Sequence, residues 1–482
     1  MTSPVSTTPR RFLCVVPPTG KYVREDRCQT PIAKLKTISL RPPIDLLYCA
    51  GSIEAAGAIT KFRDYAAEEC SWEDFKRDLL ALRPTDIVIS VTTLSLQRDL
   101  KAATIAHELL NDVRAIAIGA HFNTLDIDSL LRYPELDLVI RGEYEHACHE
   151  LASDIPLHTV RGITWRNENK EVIRNPDRPF EESLDALPFP ARHLARNELY
   201  TRPDTGAPQT TLVTNRGCPF HCTYCLANQV AGTKNRYRSV ASVMEEMSLC
   251  VSQFGITNFL FRSELFTQNK SWVIELCKAI LESGLKIQWA CNSRVDTISE
   301  EALSWMKRAG CWIVAFGVES GDQATLDRVQ KRSKVEGAFK AVEMCRRVGI
   351  RSSIYLLIGL PWDDETSITK QIDFAKALDP DFLEVFYPYP FPGTPLRQEA
   401  VRLGLIADSE IPSGAYADPA MPTLHLSKEA LVHHRSRILR AFYLRPRTIL
   451  RTVKNIRSWS EFLSYLRAAI AQLFTHKGEA LS

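Results

Sequence analysis

Three thiols stand within eight residues, Cys218, Cys222 and Cys225, in the stretch R-G-C-P-F-H-C-T-Y-C-L-A from Arg216 to Ala227. They follow directly on the apolar run Thr211 to Thr214, so a CxxxCxxC spacing lets all three leave a strand end together and converge on one inorganic centre. An iron-sulfur cluster is the natural candidate. A cluster of four irons needs four outer ligands, so three cysteines leave one iron open to a small molecule, and chemistry can occur there. Two other readings compete. Free cysteine often serves as a small core hydrophobe, yet Gly217, Pro219 and Thr223 break up any packed face. Zinc would take His221 as its fourth ligand, but the second cysteine pair usual in zinc sites is missing nearby.

The elements that must position these thiols are spread over a long chain. Its 482 residues exceed one ordinary domain, and 45% hydrophobic with 24% charged content is that of a globular protein. A net charge of +3 gives no electrostatic case for nucleic acid. The N-terminus M-T-S-P-V-S-T-T-P-R-R has no apolar core of a secretory signal, and no run of about 18 apolar residues marks a membrane span. Thirteen cysteines in such a chain point to a reducing compartment, the cytoplasm. Cys14, Cys28, Cys49, Cys70, Cys148, Cys250, Cys277, Cys291, Cys311 and Cys345 lie in apolar or helical stretches and are expected in the core.

In the first third, β-branched runs at 12–16, 59–65, 86–91, 115–119 and 136–141 read as strands. Helical patterns lie between them at 43–56, 72–82, 96–111 and 143–152. This alternation predicts a doubly wound α/β domain with a parallel sheet covered on both faces. Ligands in such sheets bind beyond the carboxyl ends of the strands, here 17–27, 90–94, 119–123 and 141–143. The small and hydroxylic residues there, Ser90, Thr92, Thr93, Gly119 and Ala120, either let a large planar ligand approach the backbone or are ordinary turn residues. Residues 157–175 read as a hairpin. Pro176 to Leu194 reads as a linker whose Arg192 and His193 are surface anchors or substrate contacts.

After the cysteine loop, a helix capped by Ser239 begins a second repeat. Strands are expected at 211–214, 257–261, 287–291, 312–316, 351–358 and 382–386, with helical regions between. The simplest closure is a partial parallel barrel of six βα units, whose chemistry sits at the strand carboxyl ends. Those ends carry Ser263 and Glu264, then Asn292, Ser293 and Arg294, then Gly317, Glu319 and Ser320, then Gly359 and Leu360. The stretch F-Y-P-Y-P-F-P-G-T-P-L, 386–396, is a stiff aromatic lip, either a substrate wall or a domain closure. From Leu444 onward Arg445, Arg447, Arg451, Lys454, Arg457 and Arg467 alternate with Ile449, Val453, Ile456, Trp459, Phe462, Leu463 and Leu466. Such a basic amphipathic helix covers the barrel, the favoured reading, or rests on an anionic membrane surface.

The cysteine loop resembles that of the radical S-adenosylmethionine enzymes, and Tyr224 before the third cysteine matches that family too. The resemblance implies that Cys218, Cys222 and Cys225 hold a 4Fe-4S cluster whose open iron is chelated by the amino and carboxylate groups of S-adenosylmethionine. It implies reductive cleavage of the sulfonium to a 5'-deoxyadenosyl radical, fed by an external electron donor such as flavodoxin or ferredoxin. By the same resemblance F-R-S-E-L-F, 261–266, lies where the family contacts the amino group of S-adenosylmethionine. The usual Gly-Gly-Glu is absent there and only Glu264 corresponds. G-V-E-S, with Glu319 and Ser320, lies near the ribose and methionyl groups, and I-G-L-P, with Gly359, near the adenine. Arg294 is a carboxylate partner through its bidentate fork.

The first third is similar to the cobalamin-binding domain that precedes the radical domain in one branch of this family. The matching stretches are R-P-P-I-D-L-L-Y at 41–48, the loop with Ser90, Thr92 and Thr93, G-A-H at Gly119, Ala120 and His121, and R-G-E-Y-E with Arg141, Gly142 and Glu143. The D-x-H-x-x-G motif, whose histidine binds cobalt in other cobalamin proteins, is absent, so a bound cobalamin would lack that ligand. The resemblance covers roughly residues 10–400. It implies a Rossmann-like cobalamin-binding domain at 10–155, a hairpin and linker at 156–205, a partial (βα)6 radical barrel at 206–396 and a helical tail at 397–482. The implied activity is methylation of an unactivated carbon in a small-molecule, lipid or natural-product precursor. The alternative within the branch is an oxidative cyclase like the anaerobic magnesium-protoporphyrin monomethyl ester cyclase. A zinc-stabilised binding protein is the alternative of another class.

Overall fold

A computed structural model describes residues 9–26, 28–32, 40–202 and 204–456. They divide into two compact units, one of residues 9–26, 28–31, 40–199 and 229–232, the other of the remaining described residues.

The first unit begins with β1 (Arg11–Val16), the hairpin β2 (Tyr22–Glu25) and β3 (Cys28–Pro31), then α1 (Ile44–Ala55) and β4 (Ile59–Asp64). It continues through α2 (Trp72–Leu82), β5 (Asp86–Ser90), α3 (Leu96–Asp99), α4 (Lys101–Leu109), β6 (Arg114–Ile118), α5 (Phe122–Arg132), β7 (Leu138–Ile140) and α6 (Glu145–Ala152). The unit ends with β8 (Ile163–Arg166) and β9 (Val172–Arg174). The sheet order is β4-β1-β5-β6-β7-β8-β9, parallel from β4 to β7 and antiparallel where β8 and β9 extend it. The expected doubly wound sheet is present, and the expected hairpin at 157–175 is its antiparallel edge. β1 and β5 are near-continuous apolar runs and are buried along their length, as a strand covered on both faces must be. α2 starts at a capping box in which Ser71 and Asp74 each satisfy the other's backbone N–H.

Two elements of this unit differ from the sequence expectation. The loop expected at 17–27 contains β2, and the hairpin has polar inward residues, Arg24, Glu25 and Gln29, in place of an apolar alternation. Helix α5 was not expected because its apolar period is inverted: Asp126 and Ser129 are buried, while Ile127 and Leu131 are 41% and 66% exposed. Asp126 is paired there with Arg141 and Arg174. The linker is laced onto α1, with Ala191 N–H donating to Leu47 O at 2.9 Å. Arg192 is buried and His193 pairs with Glu54 at 3.1 Å, so both anchor the linker.

The second unit carries β10 (Gln209–Val213), β11 (Asn215–Arg216), α7 (Ala227–Ala231), β12 (Arg236–Tyr237), α8 (Val240–Phe254), β13 (Asn258–Arg262), α9 (Lys270–Glu282), β14 (Gln288–Ser293) and α10 (Glu300–Arg308). It goes on through β15 (Cys311–Glu319), α11 (Gln323–Arg328), α12 (Val335–Val348), β16 (Arg351–Leu357), α13 (Glu365–Leu378), β17 (Phe382–Phe386), α14 (Pro395–Arg402), α15 (Lys428–Tyr443) and α16 (Pro446–Asn455). Six strands pair in parallel in chain order, β10-β13-β14-β15-β16-β17, the arc of the expected partial barrel. Ser239 caps α8, Ser299 caps α10 and Asp364 with Ser367 forms a capping box on α13. Phe261, Phe266 and Trp289 fill the core beneath the first strands, Phe261 stacking on Trp289 at 4.7 Å between ring centroids.

The aromatic lip is a closure. Tyr387, Tyr389 and Phe391 are buried, and the two hydroxyls donate to the main chain at Leu431 O and Pro412 O. Arg445 and Arg451 bond to the α13 C-cap region, and Arg445, Arg447 and Arg451 all reach the Asp379 carboxylate. This fits the expected cover over the barrel, while Ile449, Leu450 and Val453 of α16 remain exposed. Arg457, Trp459, Phe462, Leu463, Leu466 and Arg467 lie outside the described residues. Among the described residues no helix is long and apolar enough to cross a membrane.

Candidate active site

β10 delivers the chain to the cysteine loop, and the short antiparallel pair of β11 with β12 closes the loop at its neck. Gly217 turns there with φ +98°, and its N–H donates to Glu264 Oε2 at 3.2 Å. Within the loop Asn228 Nδ2 donates to Cys218 O at 2.5 Å, Cys225 N–H to Cys222 O at 3.1 Å, and Ala227 N–H to Cys225 Sγ at 3.4 Å. The outer side is fixed by main chain from far along the sequence. Thr223 N–H donates to Val329 O at 3.1 Å, Thr223 O accepts from Leu396 N–H at 3.0 Å, and Cys222 Sγ lies 3.9 Å from Gln330 O. All three thiols are half-buried.

The residues expected at the strand ends gather around this loop. Arg294 closes its fork on Asp296, at 2.9 and 2.7 Å, donates to Lys331 O at 2.7 Å and stacks 3.7 Å from the centroid of Phe220. Burial works against its charge, but Asp296 and the nearby sulfurs of Cys222 and Cys218 more than offset this and raise its pKa. Glu319 ends β15 in a left-handed conformation, φ +70°, where the register with β16 shifts. Its Oε1 accepts from Lys331 Nζ at 2.7 Å inside the protein. A Cβ on Gly317 would meet Glu319 Oε1 at 2.6 Å, so the glycine of G-V-E-S makes room for that pair. Enclosure of the Tyr224 hydroxyl, then the fields of Glu319, Cys222 and Cys225, push the Tyr224 pKa well above its usual value. Ser320 Oγ accepts from Gln371 Nε2 at 3.1 Å. At Gly359, φ +92°, the N–H donates to Asp363 Oδ2 at 2.8 Å, as does Leu360 N–H at 3.1 Å. Burial pushes the Asp363 carboxyl up to about 6 despite these bonds.

Sequence reasoning missed Phe220, Asp296, Lys331, Asp363 and Gln371. Only one signal was legible: V-Q-K-R-S at 329–333 interrupts the helical tract with charge. The structure puts Gln330 and Arg332 there in left-handed conformations, φ 55° and 56°, which lets main-chain carbonyls face the cysteine loop.

Three half-exposed thiols on one loop, with Arg294 and Lys331 as fixed cations nearby, fit an anionic thiolate-bound cluster. Among the described residues no group of three or more His, Cys, Asp or Glu is gathered closely enough to hold a single metal ion. Ligands to a cluster each bind a different iron and need no common point, whereas zinc does.

The carboxyl edge of the first sheet is built differently. Ser90 ends β5 with its carbonyl accepting from Arg24 Nη1 at 2.8 Å. Thr92 Oγ1 and Ser95 Oγ share a hydrogen at 2.6 Å, and Thr93 N–H donates to Gln29 Oε1 at 2.7 Å. Gly119 has φ +148°, and a Cβ on it would lie 2.3 Å from Val91 O, so its small size is required by the neighbouring loop itself. Ala120 N–H donates to Asp26 Oδ1 at 3.0 Å, and the buried His121 ring packs edge-on against Phe122. Arg141 spreads its guanidinium over Asp126, Asp177, Thr164 and Asn175 O, along the antiparallel edge of the sheet. Gly142 N–H donates to Asn123 Oδ1 at 2.8 Å, and Glu143 Oε2 accepts from Glu181 N–H at 2.8 Å. One polar atom fits a ligand: the Thr93 hydroxyl is buried with no partner.

The sequence profile of the Radical SAM superfamily matches residues 212–371, from the strand before the cysteine loop to α13. The chain belongs to the radical S-adenosylmethionine (SAM) superfamily. An uncharacterized methyltransferase of Pyrococcus horikoshii is 28% identical over 92% of this chain and 94% of its own length. The anaerobic magnesium-protoporphyrin IX monomethyl ester cyclase of Rubrivivax gelatinosus is 24% identical over 73% of this chain and 65% of the cyclase. Among solved structures, the radical SAM methyltransferase TsrM from Kitasatospora setae, with cobalamin and a [4Fe-4S] cluster bound, superposes with a TM-score of 0.66 at 17% identity, covering 89% of this chain and 82% of TsrM. That likeness establishes the architecture, a Rossmann-like domain followed by a radical SAM barrel and a helical C-terminal region. The protein is a radical SAM enzyme.

Proposed function

We propose that the protein is a cobalamin-dependent radical SAM methyltransferase acting on an unactivated carbon of a small molecule, a lipid or natural-product precursor among the candidates. The observation that carries the reading is the cysteine loop, with its thiols half-exposed beside Arg294, Lys331 and Glu319 at the barrel's strand ends. Methyl transfer is favoured over oxidative cyclisation because the methyltransferase relative matches over nearly its whole length and the cyclase over about two thirds.

Cys218, Cys222 and Cys225 would hold the 4Fe-4S cluster, and cobalamin would lie along the loops with Ser90, Thr92, Thr93, Gly119, Ala120, His121, Arg141, Gly142 and Glu143. When bound, the cluster supplies one electron to SAM and cobalamin supplies the methyl group. The chain's residues bind, orient and shield. Glu319 offers an acceptor whose charge is held by Lys331 close to the thiols, and Ser320 adds a hydroxyl aligned by Gln371. Glu264 keeps one oxygen on the Gly217 amide, which fixes the loop's entry, and leaves the other for an ammonium group. Arg294 is closed bidentately on Asp296, so it acts on a SAM carboxylate through its charge and stacking on Phe220, with no free fork. The Gly359 turn, held open by Asp363, presents main chain to a flat base such as adenine. Tyr224 stays protonated and screens the thiols. An external one-electron donor such as flavodoxin or ferredoxin would serve this site, in the cytoplasm. α16 covers the barrel end through its arginines on Asp379, and flotation with anionic liposomes tests whether its exposed Ile449, Leu450 and Val453 also touch a membrane surface.

The test is iron and cobalt per chain after anaerobic reconstitution and desalting, followed by product mass spectrometry. About four irons and one cobalt, 5'-deoxyadenosine and a product heavier by one methylene are expected. Zinc without iron would return the protein to a binding role. A product of unchanged carbon count would favour the cyclase reading.

A further inference from the structure

The hairpin of β2 and β3 touches the loop after each central strand of the first sheet with a polar side chain. Arg24 pairs with Asp99, both buried, at 2.7 and 3.0 Å, and also binds Ser90 O and Thr19 Oγ1. Asp26 accepts from Ala120 N–H on one oxygen and from the Tyr144 hydroxyl on the other, at 3.0 and 2.8 Å. Gln29 accepts from Thr93 N–H at 2.7 Å. Thus one short element fixes the loops that follow β1, β5, β6 and β7. Its own sequence has no apolar stripe that explains its place. The side chains buried beneath it are spent on holding other loops.

Thr93 is the point at which this clamp meets an unexplained group. Its amide is satisfied by Gln29, yet its hydroxyl is buried and has no partner, on a residue 4% exposed. A buried hydroxyl without a partner disfavours folding, whereas the same volume filled by a methyl group would not. Such a group persists where a ligand uses it. We propose that the β2–β3 hairpin is the positioning element of the cobalamin edge and that, through Gln29, it presents the Thr93 hydroxyl to a carboxamide on the rim of the corrin. The inference rests on the cobalamin reading of the first unit. It adds four side chains, Arg24, Asp26, Gln29 and Thr93, with distinct tasks: the first three hold loops and only Thr93 touches the ligand.

The experiment uses the full chain, reconstituted anaerobically with cobalamin and iron and desalted, with cobalt and iron per chain, cobalamin dissociation and the Tm of the cobalamin-free protein as readouts. Thr93→Val is expected to weaken cobalamin retention about tenfold or more while iron stays at its wild-type level and the Tm is unchanged or rises. A purely structural hydroxyl would not move these readouts in opposite directions. Gln29→Leu is expected to weaken retention comparably, Gln29→Glu to restore it because an acceptor for the Thr93 amide is kept, and the Gln29→Leu/Thr93→Val double variant to be no weaker than the worse single. If Gln29→Leu does not fold, Thr93→Val and Gln29→Glu carry the test. Wild-type retention in Thr93→Val, losses that multiply in the double variant, or a joint fall in iron and Tm in Thr93→Val would overturn the inference and leave the cobalamin reading standing. A wild-type protein that takes up iron but no cobalt would overturn the cobalamin reading, and the inference with it.

Discussion

The two units each end their parallel strands in polar loops, but they spend those polar residues in opposite ways. At the barrel edge, Arg294, Lys331 and Glu319 stay charged around the cysteine loop, which is itself held by main chain at Val329 and Leu396. At the edge of the first sheet the charges are used on one another, Arg24 with Asp99 and Arg141 with Asp126 and Asp177. What remains there is main chain and hydroxyls. The barrel edge suits a charged ligand and a reaction that moves an electron, and the first edge suits a large ligand recognised by shape and a few hydrogen bonds. The cysteines divide in the same way. Burial pushes the Cys14, Cys49 and Cys311 thiols well up and Cys345 to about 12, which keeps them inert, while the three loop thiols stand half-exposed beside fixed cations.

The sharpest way to break this comparison is at the loop. Cys222→Ala is expected to lose cluster iron and to reduce 5'-deoxyadenosine formation to background, with cobalt retention unchanged, as iron assay, chromatography and cobalt analysis would read. Equal loss of cobalt would mean that the two edges are not independent. Next in size is Lys331→Met, which leaves the Glu319 carboxylate buried without its partner and should cost about 3–5 kcal/mol in denaturant unfolding. The Lys331→Met/Glu319→Gln pair should recover much of it. At the other edge Gly119→Ala should cost about 1–3 kcal/mol, because its φ and the Val91 carbonyl both oppose a side chain. Any loss of cobalamin in that variant therefore reports loop packing, and only Thr93 tests recognition.

The smallest effect concerns Asp363. Burial raises its pKa from 3.8 to about 6, so the folded protein binds this proton more tightly than the unfolded chain. The stability this gives is complete below about pH 4 and is lost as pH rises through about 6. Asp363→Asn mimics the protonated group and keeps an acceptor for the Gly359 amide. It should flatten this part of the stability profile, by on the order of 1 kcal/mol per pKa unit. An unchanged slope in urea unfolding at pH 4 to 7 would show that the carboxyl is not the titrating group.

Much of this was legible in the chain. Strands such as 12–16 and 382–386 announce themselves because buried parallel strands are continuous apolar runs, and Ser239, Ser299 and Asp364 mark helix starts by their capping chemistry. The cysteine spacing fixed the centre of the barrel edge. What escaped was buried polarity: α5 hides Asp126, the β2–β3 hairpin hides Arg24 and Gln29, and Lys331 hides beside Glu319. A charged residue in sequence reads as solvent-facing, and only the partner brought by the fold reveals otherwise. The left-handed residues Gln330 and Arg332 were equally silent, since neither is glycine and nothing local favours that conformation.

The contacts of the cysteine loop with Val329, Gln330 and Leu396 bear on how the protein is made. Leu396 follows Cys222 by about 170 residues, so at ~5–20 residues per second the three thiols leave the ribosome roughly 10–30 s before the last carbonyl and amide that hold them. During that interval the nascent chain carries three neighbouring sulfurs and no cradle. Cluster insertion on this scaffold is therefore a post-translational event, gated by closure of the barrel, and oxygen or stray metal that reaches the chain earlier meets it at its most vulnerable.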